Sequence, residues 1–493
     1  MISYWNNSKN IIDDIFIPKY YDPFIIKDLE SISDQYSFKT ITEFENDGVI
    51  EVSTGDEIGK LAYGTGDIPF VRTSDISNWE IKTAPKQGVS EEIYEQYAKK
   101  QDVKEGDVLL VRDGTYLIGT NCFITKLDEK ILYQSHILKF RILDTEALDP
   151  VIFFIALNSE IVQRQIRAIQ FTADIIDTIG NRYKEMKIPV PKDKSYRESL
   201  IKSVKGALEA RVKEKAFIKQ CPMLIEESLH SGQVDNIDNF LEKNLEQLQD
   251  VLVQDTIRAE FGKFEAFKIS SAEIKESVLL PKYYDPSIEE ELKNLSENCD
   301  LYSLGKLKSE EHINYYTGDE IGKMAYGTGE IPFFRTSDFA NWELKHNPKQ
   351  GISEDIYEIY TVKKQVEIDD IFLVRDGTYL VGTSCIVTEE DAKSLFCGGL
   401  YKINVINQEL INPYLLLGLL NSYIVKRQFR TKQFTRDVID TLGNRVDEVI
   451  IPIPKSEDLR KKITDSVKKV ISDRINARNL IRDKALDYAR ISN

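Results

Sequence analysis

GDVLLVRDGTYLIG at residues 106–119 and DDIFLVRDGTYLVG at residues 369–382 decide how this chain is read. In the first, Asp107–Val111 has the apolar run of a buried strand. It breaks on Arg-Asp-Gly, where glycine permits backbone angles closed to other residues. The two stretches lie 263 residues apart, and the same offset recurs on both sides. PKYYDP begins at Pro18 and Pro281, TGDEIGK at Thr54 and Thr317, and AYGTG at Ala62 and Ala325. RTSD begins at Arg72 and Arg335, and IPVP at Ile188 returns as IPIP at Ile451. A constant offset means no net insertion or deletion, so one unit is written twice.

Bulk composition narrows the class. The chain has 493 residues, 42% apolar and 30% charged, enough for several buried cores. No run approaches the roughly 18–20 apolar residues that span a bilayer. MISYWNNSKN has neither the basic nor the apolar region of a signal peptide. Five cysteines without a CxxC pair fit free thiols in a reducing, cytoplasmic setting. The net charge of -16 runs against nucleic-acid binding, which draws affinity from basic side chains on phosphate.

Within each copy, strand-like segments such as Ile68–Arg72 alternate with helical ones, Glu91–Lys99 and Pro150–Ile169. After each IPxP the chain turns charged and helical. Leu200, Val204, Leu208 and Val212 recur every four residues with Ala207 beside them. Ile463, Val467, Ile471 and Ile475, with Val470, repeat the stripe. A narrow apolar stripe needs a partner helix, and each copy supplies one for the other. About 28 residues before Pro222 correspond to roughly 42 Å, against about 34–36 Å for a turn of DNA. The expected fold is α+β: two pseudo-symmetric α+β domains joined by long antiparallel coiled-coil helices. The first domain is placed at 1–192, its helix at 193–233 and a helical connector at 234–267, with Asn236–Ile257 as its helix. The second domain is placed at 268–455 and its helix at 456–493.

This order, with IPFVRTSDI, GDVLLVRDGTYLIG and KIPVP just before a helix, resembles the specificity subunits of type I restriction-modification enzymes. The resemblance covers nearly all of the chain except about Val234–Lys268. It implies two target-recognition domains, each reading one half of a split double-stranded DNA sequence. It also implies helices that set the half-site separation and dock two DNA adenine methyltransferase subunits, with a restriction/motor subunit as an optional further partner. No cofactor is then expected on this chain, S-adenosylmethionine belonging to the partner methyltransferase. Three features depart from the family pattern. PKDKSYRESL and PKSEDLRKKI replace the usual helix opening, the charge is unusually acidic, and the central insert is long.

Candidate DNA-contacting residues come in pairs. Arg112, Gly114, Thr115 and Tyr116 match Arg375, Gly377, Thr378 and Tyr379. Glycine exposes backbone N–H groups to phosphate, and arginine forks onto guanine or grips phosphate. Arg72 and Thr73 match Arg335 and Thr336; Lys60 and Tyr63 match Lys323 and Tyr326; Lys19 and Tyr20 match Lys282 and Tyr283. A denser basic cluster, Lys426, Arg427, Arg430, Lys432 and Arg436, marks the second copy against Arg164 and Arg167 in the first. Structural readings stand beside these. Arg72 and Asp75 can pair within the fold, Asp113-Gly114 suits a hairpin turn, and the tyrosines suit packing. The Lys–Tyr pairs suit a solvated lysine beside a packed ring, the basic cluster suits a solvated helix face, and Asn181-Arg182 and Asn444-Arg445 suit turn caps.

Signals for chemistry are weak. Asn412-Pro413-Tyr414-Leu415 lacks the second proline of an adenine-methyltransferase loop, and no GxxxxGK[ST] motif occurs. Asp177 with Glu185-Met186-Lys187 superficially suits a nuclease, but the second copy puts Ile450 at the lysine position. His136, His230, His312 and His346 are scattered, and none recurs at the twin position, so no metal site is expected. The sequence therefore reads as a non-catalytic recognition subunit whose two half-sites are similar. A paired scaffold or inhibitor that does not read DNA is the alternative, and a methyltransferase fused into the chain is a more remote one.

Overall fold

The structure, a computed structural model, describes residues 11, 15–173, 176–244, 247–248, 267–275, 278–436 and 439–490. These form two compact units, Met1–Val212 with Arg474–Asn493, and Lys213–Asp473. Each takes one repeat and part of both long helices.

The repeats fold alike. In the first, a four-stranded antiparallel sheet runs Ile50–Thr54, Ile137–Ile142, Val108–Val111, Asn121–Phe123. In the second the order is Ile313–Thr317, Leu400–Val405, Ile371–Val374, Ser384–Ile386. The apolar runs that open the RDG motifs are thus interior strands, buried along their whole length. A small mixed sheet in the first repeat joins Gln87–Val89, Ile68–Val71 and Leu132–Tyr133, the last two being parallel. IPVP pairs with Tyr36–Thr40, and IPIP with Cys299–Ser303.

Other repeated words carry local structure. PKYYDP is a 3-10 turn followed by a helix N-terminus. Asp22 accepts from Phe24 N and Asp285 from Ser287 N, both at 3.0 Å, with proline at the first helical position. In RTSD the aspartate is the structural residue. Asp75 accepts from Arg72 N at 3.0 Å, and Asp338 accepts from Arg335 N at 2.9 Å.

Two expectations need correction. Pro150–Ile169 is two helices, Pro150–Asn158 and Glu160–Ile169. The break falls at Ser159, which is extended and buried and turns its hydroxyl onto the Ala156 carbonyl. The first long helix, expected at 193–233 with its length taken from the residues before Pro222, continues through that proline and runs Lys194–Ser231, 38 residues. An interior proline costs about 3 kcal/mol. Phe217, Ile218, Cys221, Ile225 and Leu229 are all buried around it, and full burial of one large apolar side chain contributes about 1.5–3 kcal/mol. Burial wins. Of the expected connector helix, Asp235–Leu241 is helical and residues 249–266 lie outside the described ones.

The second long helix spans Glu457–Asp487. In the first unit Leu200, Val204, Ala207 and Leu208 share a core with Ala477, Ile481 and Tyr488. Arg211 donates to the carbonyl of Arg474, and Tyr488 to that of Pro189 just ahead of the first helix, so the helix segments run antiparallel there. In the second unit Lys462 pairs with Asp238, and Gly418 brings Ile225, Ile463 and Val467 together.

A two-residue hairpin turn in each repeat approaches these helices. Asn78-Trp79 and Asn341-Trp342 all have positive φ, the geometry that joins strands of normal twist. In the first unit the turn sends Glu80 to Arg211 and to Arg474, which has no exposed surface. In the second, Trp342 meets Phe217 edge-on at 6.3 Å.

Candidate nucleic-acid interface

The RDG loops sit where the central sheet meets the Phe171–Ala173/Ile176–Thr178 hairpin, or its twin Phe434–Arg436/Ile439–Thr441. Gly114 N donates to Asp177 O, and Gly377 N to Asp440 O, both at 2.9 Å. Gly114 has φ +120° and Gly377 +134°, values that favour glycine, and neither is crowded where a side chain would stand. Thr115, Tyr116 and Thr378 are exposed beyond the turn; Tyr379 is half-buried.

Side-chain bracing differs between the copies. Asp113 takes the Arg112 guanidinium at 3.2 Å, His136 Nδ1 at 2.7 Å and the Thr178 hydroxyl. Burial opposes its charge, yet these three partners hold its carboxyl below the ordinary range. In the second copy Gly399 stands at the position of His136. Arg375 turns to the Gly398 carbonyl at 3.1 Å, and its nearest approach to Asp376 is 3.5 Å. A Cβ on Gly399 would lie 2.9 Å from Thr336, so the 335–336, 375–377 and 398–399 loops meet there.

Lys19 and Lys282 flank this cluster. Lys19 and Lys282 are exposed, near Asp177 and Asp440 respectively, and partial burial lowers both below the ordinary lysine value against those carboxylates. Their neighbouring tyrosines are anchored. Tyr20 donates to Glu185; Tyr283 is buried, donates to Glu448 and packs on Phe434. At the Gly59–Gly64 and Gly322–Gly327 turns, Lys60 and Lys323 are exposed, while Tyr63 and Tyr326 pack on Phe70 and Phe333, each at 5.6 Å. Arg335 is exposed; Arg72, Thr73 and Thr336 are half-buried.

The basic cluster of the second copy is held by the protein itself. Arg427 bonds Asp285 and Ser287, Arg430 the carbonyls of Thr378 and Tyr379, and Lys432 Glu448 at 3.1 Å. Arg430 thereby braces the loop that follows Gly377. Arg182 lies over Phe171 and Arg445 over Phe434, so both serve the hairpins. Asn412 caps the helix Pro413–Leu420 by accepting from Leu415 N at 2.9 Å.

One twin feature escaped the sequence reading. Leu61 is 96% exposed and Met324 93%, each between the lysine and the tyrosine of its turn. Both copies thus hold an apolar side chain at the tip of a glycine-flanked loop. An unexplained apolar residue between two glycine signals was the clue available.

No family model matches the chain, and no curated protein matches it. The chain is similar to solved structures of type I restriction-modification specificity subunits. The S subunit from M. genitalium is 14% identical with a TM-score of 0.35, covering 92% of this chain and 96% of that one. A type I R-M system chain is 13% identical with a TM-score of 0.27, covering 92% and 98%. The HsdS subunit from Thermoanaerobacter tengcongensis is 15% identical with a TM-score of 0.27, covering 92% and 96%. Among the described residues, no helix is long and apolar enough to cross a membrane.

Proposed function

We propose that this chain is the DNA-recognition subunit of a type I-like restriction-modification or phage-defence methyltransferase complex. Each repeat reads one half of a split duplex target. The long helices dock two adenine methyltransferase subunits, and these carry S-adenosylmethionine and the chemistry. The observation that carries this reading is the twin loop cluster: Gly114 and Gly377 anchored by the same backbone bond, with exposed Lys19 and Lys282 beside the anchoring Asp177 and Asp440. Fixed backbone with cationic and polar tips suits phosphate positioning and base-edge contact. Leu61 and Met324 suit a wedge against sugars or base steps.

Selection of bound sequences from random duplexes, with the full chain and its co-expressed methyltransferase, tests this. Two short motifs at a fixed spacing are expected. Lys60→Ala with Lys323→Ala lowers affinity across sequences and reduces the salt slope by about two. Arg112→Ala with Arg375→Ala abolishes selection while leaving partner assembly intact.

The net charge of -16 and the internal engagement of Arg427, Arg430 and Lys432 favour a second reading, a paired protein scaffold or inhibitor. Unchanged DNA behaviour in the double arginine variant selects that reading.

A further inference from the structure

Glu226 and His230 lie one turn apart on the first long helix, so their side chains share a face. Glu291, on the helix Pro286–Leu295 of the second repeat, meets them in the same compact unit. One carboxylate oxygen from each glutamate and one imidazole nitrogen lie within 4.8 Å of one another. His230 Nε2 and Glu291 Oε1 are 2.6 Å apart.

Glu226 supplies a second, independent observation. It is 6% exposed, its Oε2 accepts from Ile424 N at 3.1 Å, and its buried Oε1 meets no N–H or hydroxyl donor, with the Glu291 carboxyl within hydrogen-bonding reach of the Glu226 carboxyl. A buried carboxylate oxygen left without a donor is costly, and such groups are ordinarily paired or bind metal. Arg427, a cationic side chain close enough to act on Glu226, is engaged by Asp285 and Ser287.

The duplication shows that this cluster is not a by-product of the shared fold. In the first repeat, Asp28 occupies the position of Glu291 and is taken by Arg164, while Ala489 stands where Glu226 does. In the second, Ser287 replaces Phe24 and engages the arginine, leaving Glu291 to His230.

We propose that Glu226, His230 and Glu291 bind one divalent cation of the zinc class, with its remaining positions open to water. Two carboxylates balance its charge, and a nitrogen with two oxygens suits a borderline ion. His230 and Glu291 are partly exposed, which gives the ion a way in. Bound there, it clips the first long helix to the opening helix of the second repeat, across 61 residues of chain.

The test uses the full chain, stripped with chelator and titrated with Zn2+ or Co2+. One ion per chain, visible Co2+ ligand-field bands without thiolate charge transfer, and a chelator-reversible rise in Tm are expected. His230→Ala and Glu291→Gln, both at partly exposed positions, each weaken binding about tenfold or more with an unchanged circular dichroism spectrum. Cys299→Ser, near Glu226, leaves binding intact. The proposal is overturned by a thiolate charge-transfer band, by no saturable binding, or by undiminished binding in the His230→Ala/Glu291→Gln double variant. None of these outcomes depends on DNA recognition.

Discussion

The two RDG loops share a backbone and differ in what holds it. In the first repeat Asp113 gathers Arg112, His136 and Thr178; in the second, Gly399 removes the histidine and Arg375 turns to a carbonyl. The glycine conformations and the bonds to Asp177 and Asp440 are unchanged. Duplication therefore preserved the frame that positions each loop and let the side chains around it diverge. Under the proposed function, that division lets the tips on a common frame differ in the bases they favour.

The comparison is broken most severely at the hairpin of the first repeat. Glu80 meets Arg211 and the fully buried Arg474, and removing one partner of a buried ion pair costs about 3–5 kcal/mol. Glu80→Ala is expected to lose that much in urea unfolding monitored on the full chain. Glu343, its buried twin, is the matched variant. A loss below about 1 kcal/mol for Glu80→Ala would show that the hairpin does not fasten the first repeat to its helices.

A smaller effect separates the loops themselves. Asp113 has three side-chain hydrogen-bond partners, whereas Asp376 Oδ1 is buried without a hydrogen bond and lies 3.5 Å from the Arg375 guanidinium. Asp113→Ala is expected to cost about 2–3 kcal/mol and Asp376→Ala about 1 kcal/mol or less. The Asp113 brace has a pH signature. The folded carboxyl of Asp113 titrates below the ordinary range, so its contribution is complete above about pH 4 and fades as pH falls through the lower folded value. Asp113→Ala should flatten the acid limb of stability against pH, and an acid limb equal to that of the unaltered chain would show that this brace does not hold the loop.

Much of this frame was legible in the chain. The constant offset gave the duplication, the apolar run before RDG gave the central strands, and the every-fourth-residue stripe from Leu200 gave the long helix. What escaped was direction and distance. Arg427, Arg430 and Lys432 read as a charged face, but whether a cation points to solvent or to a carboxylate depends on residues such as Asp285 and Glu448, far away in sequence. Pro222 is carried inside the first long helix because burial of Phe217 and Ile225 around it is tertiary, while helix propensity is local. Glu226 and His230 were visible at helical spacing, but Glu291 joins them only in the fold.

The smallest stability effect, and the sharpest test of the comparison, lies at Leu61 and Met324. At 96% and 93% exposure they add little packing to the folded state, so Leu61→Ala and Met324→Ala should each change unfolding free energy by no more than about 0.5 kcal/mol. Single exposed apolar side chains are ordinary on a protein surface, so a role for these tips has to be shown by binding. As wedges against DNA they should matter in binding, with each alanine variant losing about fivefold to tenfold in affinity, or about 1 kcal/mol. Each loss should be confined to one half-site, measured on duplexes in which the other half is scrambled. Leu and Met differ in shape and stiffness, so exchanging them should shift preference between halves without changing stability. Affinity that ignores both alanine substitutions would remove these tips from the interface and leave recognition to the RDG loops and the flanking lysines.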